Sequence, residues 1–299
     1  MSRVSLHAFD TGVEEAARIG QRLGVAVREI KVHHFPDGES LVTVVPSEAT
    51  VIIYASLDHP NERMMDLLLA AEALCRNGAT RLVLVAPYLC YMRQDKAFHE
   101  GEAISQRLLG DLLGRRFDRI ITIDSHLHRV NSLAEVFPGI EAENLIGASI
   151  IAAYAREHLA ASPDYVVGPD AESRQWVDQI VAKLGGETLV GTKQRLGDRH
   201  VEIEFSCDQL SGKSVLLVDD IVSSGATLVE AIEKLKKLGA GEINIAATHA
   251  LFGAEQEAAM RQAGAREIWS TFSVPHSTNR IHLDDLLVPV LEREVENAK

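Results

Sequence analysis

Val215-Leu216-Leu217-Val218-Asp219-Asp220-Ile221-Val222-Ser223-Ser224-Gly225-Ala226-Thr227 sets four apolar residues ahead of two consecutive carboxylates and a loop of small residues. A continuous apolar run, rather than an alternating one, predicts a strand buried on both faces, as in a parallel sheet. From Thr227 a helical stripe follows, Leu228, Ile232, Leu235 and Leu238, and Gly239 stops it. The loop between strand and helix can lay backbone N–H groups around a phosphate, and the helix N-terminus adds the positive end of its dipole. Ser223, Ser224 and Thr227 supply hydroxyl donors, while Gly225 and Ala226 let a phosphate approach closely. Asp219 and Asp220 repel phosphate but accept hydrogen bonds from sugar hydroxyls, so the combination fits a sugar phosphate. No Gly-Lys-Ser/Thr follows the glycine, which excludes a Walker A loop, and the dinucleotide fingerprint is absent. The plain alternative is a strand–turn–helix with a capping hydroxyl, against which two adjacent acids after an apolar run are costly unless used.

The same rhythm extends outward. Further strand candidates are Val51–Ala55, Leu82–Ala86, Ile120–Ile123, Tyr165–Gly168 and Ile243–Ala247, all continuous apolar runs. Between them lie helical patterns, one from an N-cap at Asn61 through Met65, Leu68 and Leu69 to Cys75, ended by Asn77-Gly78. This βαβα alternation predicts an α/β fold with parallel sheets. A length of 299 residues allows two domains of about 150 residues each. We place the boundary near residue 145, after Phe137-Pro138-Gly139, giving domains 1–145 and 146–299. Each half has a strand ending in an acid, Ile123-Asp124 and Val218-Asp219, which hints at duplication.

The composition, 46% hydrophobic and 24% charged, is that of an ordinary globular protein. No run approaches the roughly 20 apolar residues of a membrane span, and the N-terminus lacks a secretion-signal layout, so a cytoplasmic protein is expected. Cys75, Cys90 and Cys207 are too few and scattered for a disulfide framework or a zinc cluster. With 43 acidic against 30 basic residues, a formal net charge of −13, the field repels nucleic acid. A small anionic substrate remains compatible with local amides, a few cations and Mg²⁺.

Five other segments carry chemistry-bearing residues. Phe35-Pro36-Asp37-Gly38-Glu39 offers a ring to stack on adenine, with Asp37 and Glu39 to take its exocyclic amine. Pro87-Tyr88-Leu89-Cys90-Tyr91-Met92-Arg93-Gln94-Asp95 offers the rigid guanidinium fork of Arg93 to phosphate oxygens, with Gln94 as a neutral donor. Ile123-Asp124-Ser125-His126 and Gly168-Pro169-Asp170 put an imidazole and a carboxylate at strand ends. Gly191-Thr192-Lys193-Gln194-Arg195-Leu196-Gly197-Asp198-Arg199-His200 reads as a mobile polar loop with two cations. Each alone also reads as an ordinary turn, solvated loop or structural histidine.

Together with the Asp219–Thr227 loop, these segments resemble, in order, the motifs of the ribose-phosphate pyrophosphokinase (phosphoribosyl diphosphate synthase) family; the loop itself resembles the signature that this family shares with type I phosphoribosyltransferases. The resemblance implies two similar type I phosphoribosyltransferase-like domains, each a mainly parallel sheet flanked by helices. It implies transfer of the β,γ-diphosphate of Mg-ATP to ribose 5-phosphate in a homo-oligomer. The implied ATP-binding residues are Phe35, Asp37, Glu39, Arg93, Gln94, Asp95 and His126, with Phe35 reaching a neighbouring subunit's site. Those for ribose 5-phosphate are Asp170, Asp219, Asp220, Ser223, Ser224, Gly225, Ala226 and Thr227. His126 and Asp170 are the implied Mg²⁺ ligands. Lys193 and Arg195 are the implied catalytic cations, and Asp220 or a metal-bound water the base. Two departures bear on the transfer. The loop reads Ser-Ser-Gly-Ala-Thr where common synthases have Asp-Thr-Ala-Gly-Thr. Val45-Pro46-Ser47-Glu48-Ala49-Thr50 lacks the Ser-x-Arg-Gly of the family's regulatory phosphate or ADP site, so neither that regulation nor the hexamer that forms it carries over. The competing readings are a phosphoribosyltransferase, which needs only one such domain, and a non-catalytic regulatory subunit, which would have lost the cations or metal ligands.

Overall fold

The computed structural model describes residues 3–46, 48–127, 132–195 and 201–298, and by its internal contacts the chain falls into two units. The first comprises Met1–Leu145, Ser273–Pro275 and Leu283–Lys299; the second comprises Ile146–Phe272 and His276–His282.

In the first unit the strands are β1 (Val4–Phe9), β2 (Ala26–His34), β3 (Ser40–Thr43), β4 (Thr50–Tyr54), β5 (Arg81–Ala86), β6 (Arg119–Ile123) and β7 (Glu141–Leu145). They lie in the order β3-β2-β1-β4-β5-β6-β7, parallel throughout except that β3 is antiparallel to β2. The central strands are buried along nearly their whole length, as strands covered on both faces must be. The helices are α1 (Val13–Leu23), α2 (Pro60–Arg76), α3 (Ser105–Gly114) and the single turn α4 (Leu133–Val136). Leu67 and Leu74 of α2 and Leu109 and Leu113 of α3 join Val51, Ile53, Leu82 and Leu84 in one core. The N-cap of α2 is His59, not Asn61 as the sequence suggests. Pro60 takes the first helical position, where its fixed φ suits the helix and its missing N–H needs no partner.

The second unit repeats the plan. Its strands are β8 (Tyr165–Gly168), β9 (Glu187–Arg195), β10 (Val201–Phe205), β11 (Val215–Val222), β12 (Ile243–Ala250), β13 (Glu267–Thr271) and β14 (Asn279–Ile281). Their order, β10-β9-β8-β11-β12-β13-β14, matches the first unit strand for strand, again with one antiparallel pair, β10 against β9. The helices are α5 (Ala148–His158), α6 (Arg174–Leu184), α7 (Ala226–Lys237) and α8 (Ala254–Ala263). Both units therefore have the expected α/β class, and the shared order gives the suspected duplication a topological basis. No helix among the described residues is long and apolar enough to cross a membrane. Cys75, Cys90 and Cys207 are all free; burial pushes the Cys90 thiol up to about 12, which suits a core side chain rather than a nucleophile, whereas Cys75 is exposed.

The last helix, α9 (Asp284–Asn297), groups with the first unit, so the 146–299 span expected for the second domain ends instead at His282. Its buried stripe is Asp284, Leu287, Val288, Leu291 and Glu294, and it packs on α1. Glu294, 2% exposed, accepts from Arg119 at 2.8 Å, itself 1% exposed, and from Arg81 at 2.8 and 2.9 Å. Arg119 also pairs with Glu143, as does Arg293 at 2.8 Å, and Arg22 holds Asp284 at 2.9 Å. Burial pushes the Glu294 carboxyl up, but the hydrogen bonds from Arg81 and Arg119 outweigh it and hold it below the ordinary range. Apolar cover alone would let α9 slide; this network sets its register.

Two stability predictions follow from these buried groups. Glu294→Ala leaves two guanidiniums without their shared carboxylate and is expected to cost about 3–5 kcal/mol, read as a lowered midpoint in chemical unfolding; Glu294→Gln, which keeps an acceptor, costs less. His7 on β1 is inaccessible, its Nε2 3.1 Å from Ser5 Oγ and its Nδ1 without a partner. Desolvation, then the charge of Arg28, lowers its pKa from 6.5 to about 4, against a smaller opposing effect of Glu48. Between those pH values the unfolded chain holds a proton that the native chain does not. Native stability from this group is therefore complete above pH 6.5 and falls as pH drops towards 4, by about 3 kcal/mol in all. Comparing unfolding free energies of wild type and His7→Gln across that window is expected to show the wild type losing more.

Candidate active site

In an open parallel sheet the crevice for a ligand lies at the carboxyl ends of the strands, where the strand order reverses. In the second unit that point is the β8–β11 pair, with β9 and β10 to one side and β12 to β14 to the other. Gly168-Pro169-Asp170 follows β8 and Ser223–Gly225 follows β11, so the topology brings the expected Asp170 and phosphate-loop residues to adjacent strand ends.

β11 does not stop at Val218. Its pairing with β12 continues through Asp219↔Ala247, Ile221↔His249 and Val222↔Ala250, which carries the strand to Val222. Asp219 and Asp220 are thus successive strand residues and project to opposite faces. Asp219 is half-buried, with its Oδ1 3.1 Å from the Asp220 N–H. Asp220 is 6% exposed, and its Oδ1 accepts from the Ile221 N–H at 2.8 Å. Each carboxylate thus has one oxygen engaged by the backbone N–H that follows it, at the carboxyl end of the strand. Ser223, Ser224 and Ala226 are exposed and Thr227 half-buried. α7 begins at Ala226 with Gly225 as N-cap, φ 69°, and no side chain caps it. The first-turn N–H groups of a helix have no acceptor within it, and the exposed Ser223 and Ser224 stand beside them in sequence.

Asp170 caps the short 3₁₀ turn Ala171–Ser173, accepting from the N–H groups of Glu172 at 3.1 Å and Ser173 at 3.3 Å. The loop lies hard against β9: a Cβ on Gly191 would sit 2.4 Å from the Pro169 carbonyl oxygen, so only glycine permits the approach. Lys193 and Arg195 belong to β9 by backbone, which makes part of the expected loop a strand hairpin with β10. Their side chains, and residues 196–200, lie outside the described residues.

The first unit holds the other expected residues, also at carboxyl ends. Pro87–Asp95 follows β5, and the loop is pinned to the start of α3: the Gln106 N–H donates to the Gln94 carbonyl at 3.2 Å, and the buried Gln106 amide to that of Met92 at 3.4 Å. Arg93 is exposed there, with Gln94 and Asp95 half-buried. His126 follows β6, half-buried. Among the described residues the non-glycine positions of positive φ are Tyr91, 59°, and Asp124, 41°. Both lie in these two segments, where the surrounding structure must hold so unusual a conformation. Sequence pattern gave no sign of either.

Phe35, Asp37 and Glu39 stand on the exposed hairpin joining β2 to the edge strand β3, closed by Phe35 N–H to Glu39 C=O at 2.8 Å. From β2 to β5 is three strand positions, about 14 Å, so this hairpin is not brought to Arg93 within the unit. The first unit's own reversal point, β1–β4, opens instead on a cavity of ≈ 450 Å³ lined by Asp10, Glu29, Glu62 and Asp66 with Lys31, Arg63 and two histidines. That acidic lining does not suit a polyphosphate.

For the implied metal, no three His, Cys, Asp or Glu side chains converge on one point among the described residues. His126 and Asp170 supply one imidazole and one carboxylate, on different units. Such a sparse donor set fits Mg²⁺ that brings its other ligands as phosphate oxygens and water.

Comparison with known proteins finds similarity along nearly the whole chain. Residues 5–115 match the model of the N-terminal domain of ribose phosphate pyrophosphokinase, and residues 140–282 that of the phosphoribosyl transferase domain. The ribose-phosphate pyrophosphokinase of Pyrococcus abyssi is 34% identical over 94% of this chain and 95% of its own; that of Methanopyrus kandleri is 30% identical over 97% and 98%. The crystal structure of phosphoribosylpyrophosphate synthetase from Mycobacterium smegmatis superposes with a TM-score of 0.83 at 27% identity, covering 98% of this chain and 99% of that one. With both halves matched and relatives aligned almost end to end, this chain belongs to the ribose-phosphate pyrophosphokinase family.

Proposed function

We propose that this protein transfers the β,γ-diphosphate of Mg-ATP to the anomeric hydroxyl of ribose 5-phosphate, giving phosphoribosyl diphosphate and AMP. One observation carries the reading most: a sugar-phosphate loop at the reversal point of the second unit is joined in one chain to a first unit that carries Arg93 and His126 at its own strand ends. A phosphoribosyltransferase that consumes the diphosphate needs only the former.

In this reading the 5-phosphate rests on the uncapped first turn of α7 and the hydroxyls of Ser223, Ser224 and Thr227, with Gly225 and Ala226 giving access. Asp219 and Asp220, successive residues at the carboxyl end of β11, take the ribose hydroxyls, with Asp220 available as a base for the anomeric proton. Arg93, Gln94 and Asp95 hold the nucleotide's polyphosphate end. The exposed Phe35, Asp37 and Glu39, too far along the sheet from Arg93, serve the adenine of a neighbouring chain in a homo-oligomer. His126 and Asp170 would ligate Mg²⁺, each alongside phosphate oxygens and water, and the ion supplies charge neutralisation on the polyphosphate. The anomeric oxygen attacks the β-phosphorus in line, the bond to the α-phosphate oxygen breaks, and AMP leaves. Catalysis is then chiefly positioning and electrostatic, with Lys193 and Arg195 stabilising the charge that builds on the transferred group.

The purified chain with Mg-ATP and ribose 5-phosphate is expected to form AMP, and only when the sugar phosphate is present. Lys193→Ala is expected to lower kcat by about 10²–10³. ADP as the product, or AMP formed without the sugar phosphate, overturns the reading. Gly225→Ala forces a side chain into the left-handed region, at about 1 kcal/mol or more, and is expected to raise KM for ribose 5-phosphate with little change for Mg-ATP.

A further inference from the structure

We infer that Asn144 is a positioning residue for the nucleotide side of the site, acting through the turn that presents His126; this rests on the role given to His126 above. Asp124 leaves the end of β6 with φ 41° and is 1% exposed. A buried L-residue in that conformation persists only where its surroundings hold it. Three hydrogen bonds from the end of β7 do so. The Asp124 N–H donates to the Leu145 carbonyl at 2.8 Å, and Asn144 Oδ1 accepts from both the Ser125 N–H, at 2.8 Å, and the Ser125 hydroxyl, at 2.9 Å. β7 runs parallel to β6 with Asn144 opposite Thr122 and Leu145 opposite Ile123, so the grip falls at the carboxyl edge where His126 emerges.

Asn144 is also an unfavourable strand residue at a position where pairing alone would accept a β-branched side chain. One amide oxygen taking both donors of the next turn's central residue explains it, because a carbonyl oxygen has two lone pairs and both are used. Removing that oxygen frees Ser125 and lets the strained turn relax, which moves His126 without touching any residue that contacts the sugar phosphate.

The test is steady-state kinetics of the full chain, with Mg-ATP and ribose 5-phosphate each varied, for Asn144→Ala, Asn144→Asp, Ser125→Ala, His126→Ala and Asn144→Ala combined with His126→Ala. Each lost hydrogen bond is worth about fivefold. Asn144→Ala, which removes two, is expected to lower kcat/KM for Mg-ATP by about 25-fold, with KM for ribose 5-phosphate within about twofold. Asn144→Asp keeps an acceptor for both donors and stays near wild type, while Ser125→Ala, which removes one donor, falls between. Added to His126→Ala, the Asn144→Ala change is expected to cost no more than about twofold further. If His126→Ala leaves the Mg-ATP kinetics unchanged, the role of His126 fails and the inference with it. If His126→Ala is impaired while Ser125→Ala and Asn144→Ala are not, or if the Asn144 loss adds in full to that of His126, the inference alone is wrong. Should Asn144→Ala not fold, Ser125→Ala reads the same link.

Discussion

Arg119 and Glu294 are buried together, and the position of that pair determines how the chain ends. The carboxylate is shared between Arg119 and Arg81, the first residues of the neighbouring strands β6 and β5. It therefore marks one place on the amino-terminal edge of the first sheet, and α9 can present Glu294 there in one register only. Desolvating such charges costs several kcal/mol per ion, so the pair contributes little net stability over an apolar contact of the same volume. What it contributes is selection, because misdocking α9 by one turn would leave a buried charge alone. The chain, having built the second unit, is in consequence required to return to the first.

This placement leaves the carboxyl-terminal edges of both sheets to chemistry. The two units have the same strand order but have put different side chains at corresponding places. At β8–β11 the second unit has small residues, hydroxyls and a helix start, groups that suit an anion. At β1–β4 the first unit has acids, and its anion-facing groups stand one and two strands further on, after β5 and β6. One strand order, used twice, thus carries two unlike sets of side chains at its carboxyl ends, as the proposed two-substrate transfer requires.

Much of this was legible in the sequence, and the limits have physical causes. The strands found were those that read as continuous apolar runs; β1 is as fully buried but was missed, because Ser5 and His7 interrupt its run. β2, with Arg28, Lys31 and two terminal histidines, and β7, Glu141-Ala142-Glu143-Asn144-Leu145, lie towards the sheet edges and look like loop. The domain boundary missed the return of α9, although its stripe carries a signal: Glu294 stands one turn beyond Leu291 on the core-facing side, where an acid implies a buried partner. The functional segments were recognisable because they combine residue types that packing alone does not favour. Backbone strain at Tyr91 and Asp124 was not, since neither residue type nor spacing encodes a dihedral angle that tertiary hydrogen bonds impose.

The phosphate loop shows how local geometry settles a difference in sequence. Here the glycine precedes the alanine, whereas the commoner synthase form has them reversed. β11 runs to Val222 and α7 starts at Ala226, which leaves three residues to turn the chain. The last of them, Gly225, must take φ 69°, a conformation costing any L-residue about 1–2 kcal/mol. Gly225 also faces α8, where an added Cβ would lie in ordinary contact, 3.4 Å, with Gln256 Cβ, so the constraint at this position is the backbone angle and not space. Gln256 is held in turn, since its Oε1 accepts from the Gly253 N–H at 3.0 Å at the start of α8. The glycine therefore sits where the turn needs a left-handed residue directly before the helix, and the alanine that follows is free to take the first helical position. The displaced glycine is the consequence of a three-residue turn that must end in the left-handed region, and the N–H groups of the helix start stay open beside it, as the proposed phosphate site requires.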